Sequence, residues 1–194
     1  MTYSRLARKI SKDKYLSERE QARLLACLTK TKYSNPRDYM LIVTMLNTGL
    51  RTFEAAALRK SDVDFGESLL VVRHGKGDKY REVSLGSRFA ANLLEYCKDM
   101  REDAWLFPGT KGKGLTTRHV RRIFKEYIVR AGINPVISAH ACRHTRGIAL
   151  YESSKDLVWT AQELGHADVA TTMVYMHVSP ERRKELAEKT REVC

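Results

Sequence analysis

Residues 36–58, PRDYMLIVTMLNTGLRTFEAAAL, decide how this chain folds. Pro36 suits the first turn of a helix, where its missing N–H has no partner to lose. Tyr39 to Leu46 is strongly apolar, which predicts a deeply buried helix. Gly49 predicts its end, because a left-handed C-cap favours glycine. Thr52 is then placed to cap a short second helix, with Glu54 in its first turn and Ala55 to Leu58 inside it. Arg51 and Glu54 stand at the junction of the two.

Upstream, Ser17-Glu18-Arg19-Glu20 reads as a capping box opening a helix to about Thr31, with Leu24, Leu25 and Leu28 on one face. Downstream, Ser68 to Arg73 and Tyr80 to Leu85 read as strands. The segment between them, His74-Gly75-Lys76-Gly77-Asp78-Lys79, has hairpin composition. Arg88 to Met100 reads as a helix, and Trp105-Leu106-Phe107 is a short apolar run stopped by Pro108-Gly109. Thr117 is expected to cap a helix running to Gly132, and Ser138 a helix holding His140 and Arg143. Val158 to Leu164 and Val169 to Tyr175 read as helical pieces, and Pro180 opens a charged C-terminal helix from Glu181 to about Glu192. The expected fold class is mainly α with a small antiparallel β-sheet (α+β).

With 43% hydrophobic residues among 194, the chain can build a real core. Its formal charge of +12 favours a polyanionic partner. The basic residues cluster: Lys111, Lys113, Arg118, Arg121, Arg122, Lys125 and Arg130 face Glu126 alone between residues 111 and 130. Such a run is either a solvated helix face or a track for phosphates. No run of about 18 apolar residues is present and the basic N-terminus lacks an apolar core, so neither a membrane span nor a signal peptide is expected. The four cysteines form no CxxC pair, which fits reduced thiols and a cytoplasmic setting.

Several motifs bear on chemistry. His140 and His144 have the i, i+4 spacing of a zinc pair, but Ala141 stands where the zinc-protease pattern needs Glu. Gly109 to Gly114 has the spacing of a phosphate loop, but Leu115-Thr116 replaces its Lys-Ser/Thr. Phosphoryl transfer suits the remaining set. Arginine forks match pairs of phosphate oxygens and keep their charge. A tyrosine can attack phosphorus if positive charge helps it lose its proton. A lysine on a hairpin tip can protonate a leaving oxygen. Taken singly each residue has a duller reading, and His144 and His177 in particular read as structural.

In order along the chain stand Arg51 in Thr48-Gly49-Leu50-Arg51, Lys76 in Gly75-Lys76-Gly77, and His140-Ala141-Cys142-Arg143. Leu164-Gly165-His166 follows, and then Tyr175 nine residues later, preceded by Thr171-Thr172. This ordered set resembles the tyrosine recombinase (phage integrase) family over nearly the whole chain, from about Leu16 to Pro180. The resemblance implies a site-specific DNA recombinase that cuts and rejoins strands through a 3′-phosphotyrosyl intermediate with neither ATP nor metal. By it, Tyr175 attacks, Arg51 and Arg143 clamp the non-bridging oxygens and Lys76 protonates the 5′-oxygen. His140 assists proton transfer, His166 holds the transition state, and Glu54 orients the first arginine. It also implies double-stranded DNA as partner and a homo-tetramer on DNA, with a monomer when free. Residues 1–15 are then a basic flexible arm, 16–180 a catalytic domain, and 181–194 a helix docking on a neighbouring subunit. Lys111, Lys113, Arg118, Arg121, Arg122 and Lys125 are the expected DNA contacts, with the helix from Thr117 to Arg130 reading bases. Most members carry an N-terminal helical domain, but only about 15 residues precede the pattern here. The expectation is an excised catalytic fragment or a naturally short recombinase. A type IB topoisomerase, which typically has Lys where this chain has His140, and a non-catalytic DNA-binding module are the alternatives.

Overall fold

The computed structural model describes residues 11–73, 80–166 and 168–175. Its helices are α1 (Glu18–Lys30), α2 (Pro36–Thr48), α3 (Thr52–Ala57), α4 (Ser87–Cys97), α5 (Thr117–Arg130), α6 (Ala141–Ser154) and α7 (Leu157–Leu164). Strands β1 (Val63–Asp64), β2 (Leu69–Val72) and β3 (Arg81–Ser84) form one antiparallel sheet in chain order. Val63 pairs with Leu70, and Leu70 in turn with Val83. The class is mainly α with a small antiparallel sheet, as the residue pattern predicts.

α2 is the spine. Met40, Leu41, Ile42, Val43 and Met45 are all buried, so nearly every face of it meets protein. It packs on α6, α3, α4 and α1, which places the ends of several elements near its C-terminus. There Gly49 adopts φ +66 and donates its N–H to the Met45 carbonyl at 3.0 Å. A side chain at Gly49 would also sit 2.8 Å from Leu164 of α7, so both conformation and space require glycine. Leu50, 1% exposed, drives the chain back into the core before α3 starts.

Several sequence expectations move. Arg51, not Thr52, is the N-cap of α3, and Thr52 is its first residue. Thr116, not Thr117, caps α5 by accepting from the His119 N–H. Ser138 does not cap α6 with its side chain; its carbonyl accepts from the Ala141 N–H, and His140 is the N-cap. The stretch from Val169 to Tyr175 forms two 3-10 turns, Val169–Thr171 and Met173–Tyr175, rather than one helix. It is short and rich in β-branched residues, which disfavour the α form. The sheet gains β1, too brief to show alternation. Of the N-terminal stretch expected to be a mobile arm, Lys12–Lys14 form a 3-10 turn against α6, and the Leu16 N–H donates to Thr145 Oγ1 at 2.9 Å. The expected hairpin segment with Lys76, the C-terminal helix and His177 lie outside the described residues.

Candidate active site

The C-terminus of α2, the start of α3, the first turns of α6 and the end of α7 meet at one place. Arg143, on the first turn of α6, is 1% exposed and ties them together. One arm of its guanidinium donates to the Gly49 carbonyl at 2.9 Å and the other to the Leu164 carbonyl at 2.6 Å. Two of its five N–H groups are so used, which leaves others for a ligand. Burial and the nearby charge of Arg51 lower its pKa to about 10, so it stays cationic at neutral pH.

Arg51 stands beside it. Its backbone N–H donates to Glu54 Oε2 at 2.7 Å, one guanidinium arm to Glu54 Oε1 at 2.9 Å, and the other to the Gly165 carbonyl at 3.3 Å. Its side chain is 31% exposed, so it faces outward while held from behind. Glu54, fully enclosed, takes a second arginine: Arg81 of β3 forks onto both carboxylate oxygens at 2.9 Å each. Burial alone would raise the Glu54 pKa. The hydrogen bonds and charges of Arg81 and Arg51 outweigh it and hold the group at about 2. Arg81 also lies against Gly165, where a Cβ would fall 2.5 Å from its Cδ, and Gly165 itself needs φ +67. Charge and close approach thus lock β3 and the end of α7 to the Arg51 corner.

His166 follows Gly165, its N–H donating to the Ala161 carbonyl at 2.9 Å in the α7 cap. Its Nδ1 meets Thr172 Oγ1 at 2.8 Å, which leaves Nε2 as the ring nitrogen available to a ligand. Burial and the charges of Arg143 and Arg51 lower its pKa to about 4, so the ring is neutral.

Tyr175, 6% exposed, closes the site. Its ring lies parallel to His166 at 6.4 Å between centroids and packs on Gly147, where a Cβ would fall 2.5 Å from Cζ. Its hydroxyl meets His144 Nδ1 at 3.2 Å. Burial raises the phenol to about 12, with Arg143 pulling the other way. His140 is exposed at the mouth and touches His144 edge-on, 4.7 Å between ring centroids. Partial desolvation and the charges of Arg143 and Arg51 lower its pKa.

Arg51, Glu54, His140, Arg143, His166 and Tyr175 are therefore gathered, although their positions span 125 residues. Arg118, Arg121, Arg122 and Lys125 fall elsewhere, as one exposed stripe on α5 opposite its buried Val120, Ile123, Phe124, Tyr127 and Ile128. Lys113 is exposed just before that helix, and Lys111 lies in the 3-10 turn Thr110–Gly112. Sequence reasoning missed three contributors. Arg81 looked like an ordinary strand residue, and Thr172 had only its place in the family pattern. His144 reads from the sequence as structural, yet its i+4 spacing from His140 is the available signal that both share a helix face.

The sequence profile of the phage integrase family matches residues 14–182. Tyrosine recombinase XerH of Campylobacter jejuni is 31% identical over 185 residues, covering 92% of this chain and 52% of that protein. Tyrosine recombinase XerC of Xanthomonas axonopodis pv. citri is 38% identical over 144 residues, covering 73% and 47%. The chain thus spans about half the length of these curated relatives. The crystal structure of the XerH site-specific recombinase bound to difH substrate superposes with a TM-score of 0.77 at 28% identity, over 93% of this chain and 55% of that one. With the ordered motifs, the gathered site and the profile match in agreement, this chain belongs to the phage integrase family of tyrosine recombinases.

Proposed function

We propose that this protein is a site-specific recombinase that cleaves and rejoins duplex DNA through a covalent 3′-phosphotyrosyl link. The observation that carries this reading is the convergence of two arginines, a hydrogen-bonding histidine and a tyrosine on one buried corner. Arg51 and Arg143 neutralise the charge that grows on the non-bridging oxygens, and they do so from fixed positions, without reorganising. His166 adds a hydrogen bond to one of those oxygens through Nε2. Tyr175 attacks phosphorus, and the 5′-oxygen leaves with a proton from Lys76. Because the phosphotyrosyl bond conserves the energy of the cleaved one, an incoming 5′-hydroxyl can reverse the step on a new strand. Glu54 and Arg81 position Arg51.

The stripe of Arg118, Arg121, Arg122 and Lys125, with Lys111 and Lys113 before it, follows the duplex backbone, while side chains of α5 read base edges. The unit from 16 to 180 is the catalytic domain, preceded by a basic arm and followed by a helix that docks on a neighbour. Four copies act together on two DNA sites, in the cytoplasm. A non-catalytic DNA module would have no reason to enclose a tyrosine within the field of Arg143. The test is a nicked suicide duplex recovered from a random-sequence pool by covalent capture. The protein is expected to form a denaturant-stable adduct, and no adduct at any sequence would overturn the reading. Relaxation of supercoiled plasmid lacking the captured sequence, as efficient as cleavage of that sequence, would favour a topoisomerase instead.

A further inference from the structure

We infer that Asp62 and Arg73 are positioning residues that aim Lys76 at the leaving 5′-oxygen. This rests on the strand-cleavage reading above, in which Lys76 is the general acid. Arg73 directly follows β2 and Arg81 opens β3, so the two arginines flank the stretch of chain that carries Lys76. Among the described residues, pairing between the strands ends at Val72 with Arg81. Side chains continue the anchorage from there. Arg73 donates through Nε to Asp62 Oδ1 at 2.5 Å, and Arg81 forks onto Glu54. Each root of the stretch therefore has its own carboxylate.

Both carboxylates are themselves fixed. Asp62 ends the 3-10 turn Lys60–Asp62, is 5% exposed, and accepts from the Arg59 N–H at 2.8 Å through its other oxygen. Glu54 is enclosed in α3 and accepts from the Arg51 N–H. Glu54, Asp62, Val72 and Arg73 line one small cleft, so both ion pairs brace the sheet against the stretch of chain that presents Arg51. The Arg73 side chain is 57% exposed, and an ion pair so open to water adds little stability. What it supplies is direction. Lys76 stands three residues beyond Arg73, at most about 11 Å of extended chain. A root held on both strands confines where its ammonium can reach, and a misplacement of about 1 Å at a reacting group can cost about 100-fold in rate.

The step served is the departure of O5′. As Tyr175 attacks, the P–O5′ bond breaks, its electron pair stays on O5′, and that oxygen takes a proton from Lys76 Nζ. A sulfur atom at the 5′-bridging position leaves as a thiolate, because an alkyl thiol has a pKa of about 8.5, and it needs no proton. Losing Lys76, or losing its aim, then costs little on the sulfur duplex. A direct hold of Arg73 on a phosphate would instead be felt equally on both duplexes.

The test is single-turnover adduct formation on the captured duplex, made with oxygen or with sulfur at the 5′-bridging position. Lys76→Ala should slow about 100-fold with oxygen and recover with sulfur. Arg73→Ala should slow about tenfold with oxygen, recover with sulfur, and cost nothing further when Lys76→Ala is already present. Asp62→Asn should behave as Arg73→Ala does, and Arg73→Lys should restore part of the rate. If Asp62→Asn does not fold, Arg73→Ala, on the exposed side of the pair, decides alone. The salt slope of DNA binding should be unchanged in Arg73→Ala; a slope reduced by about one makes Arg73 a phosphate contact and overturns the proposal. Equal slowing of Arg73→Ala on both duplexes, an effect additive with Lys76→Ala, or no slowing at all also overturns it, and each leaves the strand-cleavage reading standing. No adduct from the wild type defeats that reading, and Lys76→Ala slowed equally on both duplexes defeats the general-acid role; either takes this proposal with it.

Discussion

The arginine side of the site and its tyrosine side are built in opposite ways. Arg143 of α6 donates to carbonyls at the ends of α2 and α7, and Arg81 of β3 binds Glu54 of α3, so charged hydrogen bonds join five elements beside the large core around α2. Tyr175 rides on two 3-10 turns and packs in a satellite cluster with Leu150 and Leu164, its polar end on one histidine. Charges buried at the core's edge need several partners to stay there, whereas a phenol needs apolar neighbours and one acceptor. Changes on the arginine side should therefore cost stability first. Changes on the tyrosine side should cost chemistry first.

The largest separation is expected in Tyr175→Phe. Adduct formation should fall to background, about 10⁶-fold, while stability changes by less than about 1.5 kcal/mol, since one hydrogen bond is lost. Urea denaturation alongside the adduct assay reads both. Glu54→Ala should do the reverse. It leaves Arg81 and Arg51 without their shared counter-ion and should destabilise by about 3–5 kcal/mol in urea unfolding.

The same carboxylate sets an acid limb. Its pKa is about 2 in the folded protein against 4.5 ordinarily, so the folded state holds fewer protons than the unfolded one between these values. Its contribution, about 3 kcal/mol, is present above pH 4.5 and lost as pH falls towards 2. His144 and His166 act earlier. Both sit at about 4 instead of 6.5, so the unfolded chain binds their protons first and stability already declines as pH drops from 6.5 to 4. Urea midpoints across pH 2 to 7 should show the histidine slope before the carboxylate slope, and Glu54→Gln should abolish only the second.

The smallest separation of the two effects is expected in Gly147→Ala. The new methyl would overlap the Tyr175 ring and shift it, at about 1–3 kcal/mol. Because the ring is lightly anchored, adduct formation should fall further than that stability loss implies. A loss of stability without loss of cleavage would break the contrast between the two sides.

What could be read from residues alone divides by distance along the chain. The Gly49 stop and the apolar run of α2 are local, and each has a residue-level cause. Cap positions slipped because Thr116 and Thr117 offer the same hydroxyl one residue apart, and only the turn of the backbone chooses between them. At α3, the reach of Glu54 back to Arg51 moved the cap off Thr52. Arg81 on Glu54, Arg143 on Gly49 and His144 on Tyr175 join residues 27, 94 and 31 positions apart, and no periodicity marks them. The family pattern named Arg143 and Tyr175, but the partners that hold them emerge only when α2, α6 and α7 are packed.

The most direct measurement is to find the atom that carries the DNA. After cleavage of the captured duplex and nuclease trimming, tryptic peptides can be weighed and fragmented. Residues 156–182 form one tryptic peptide, with Tyr175 as its single tyrosine. The expected result is a nucleotide phosphate on Tyr175. A nucleotide on any other side chain, or an adduct that persists in Tyr175→Phe, would contradict the account.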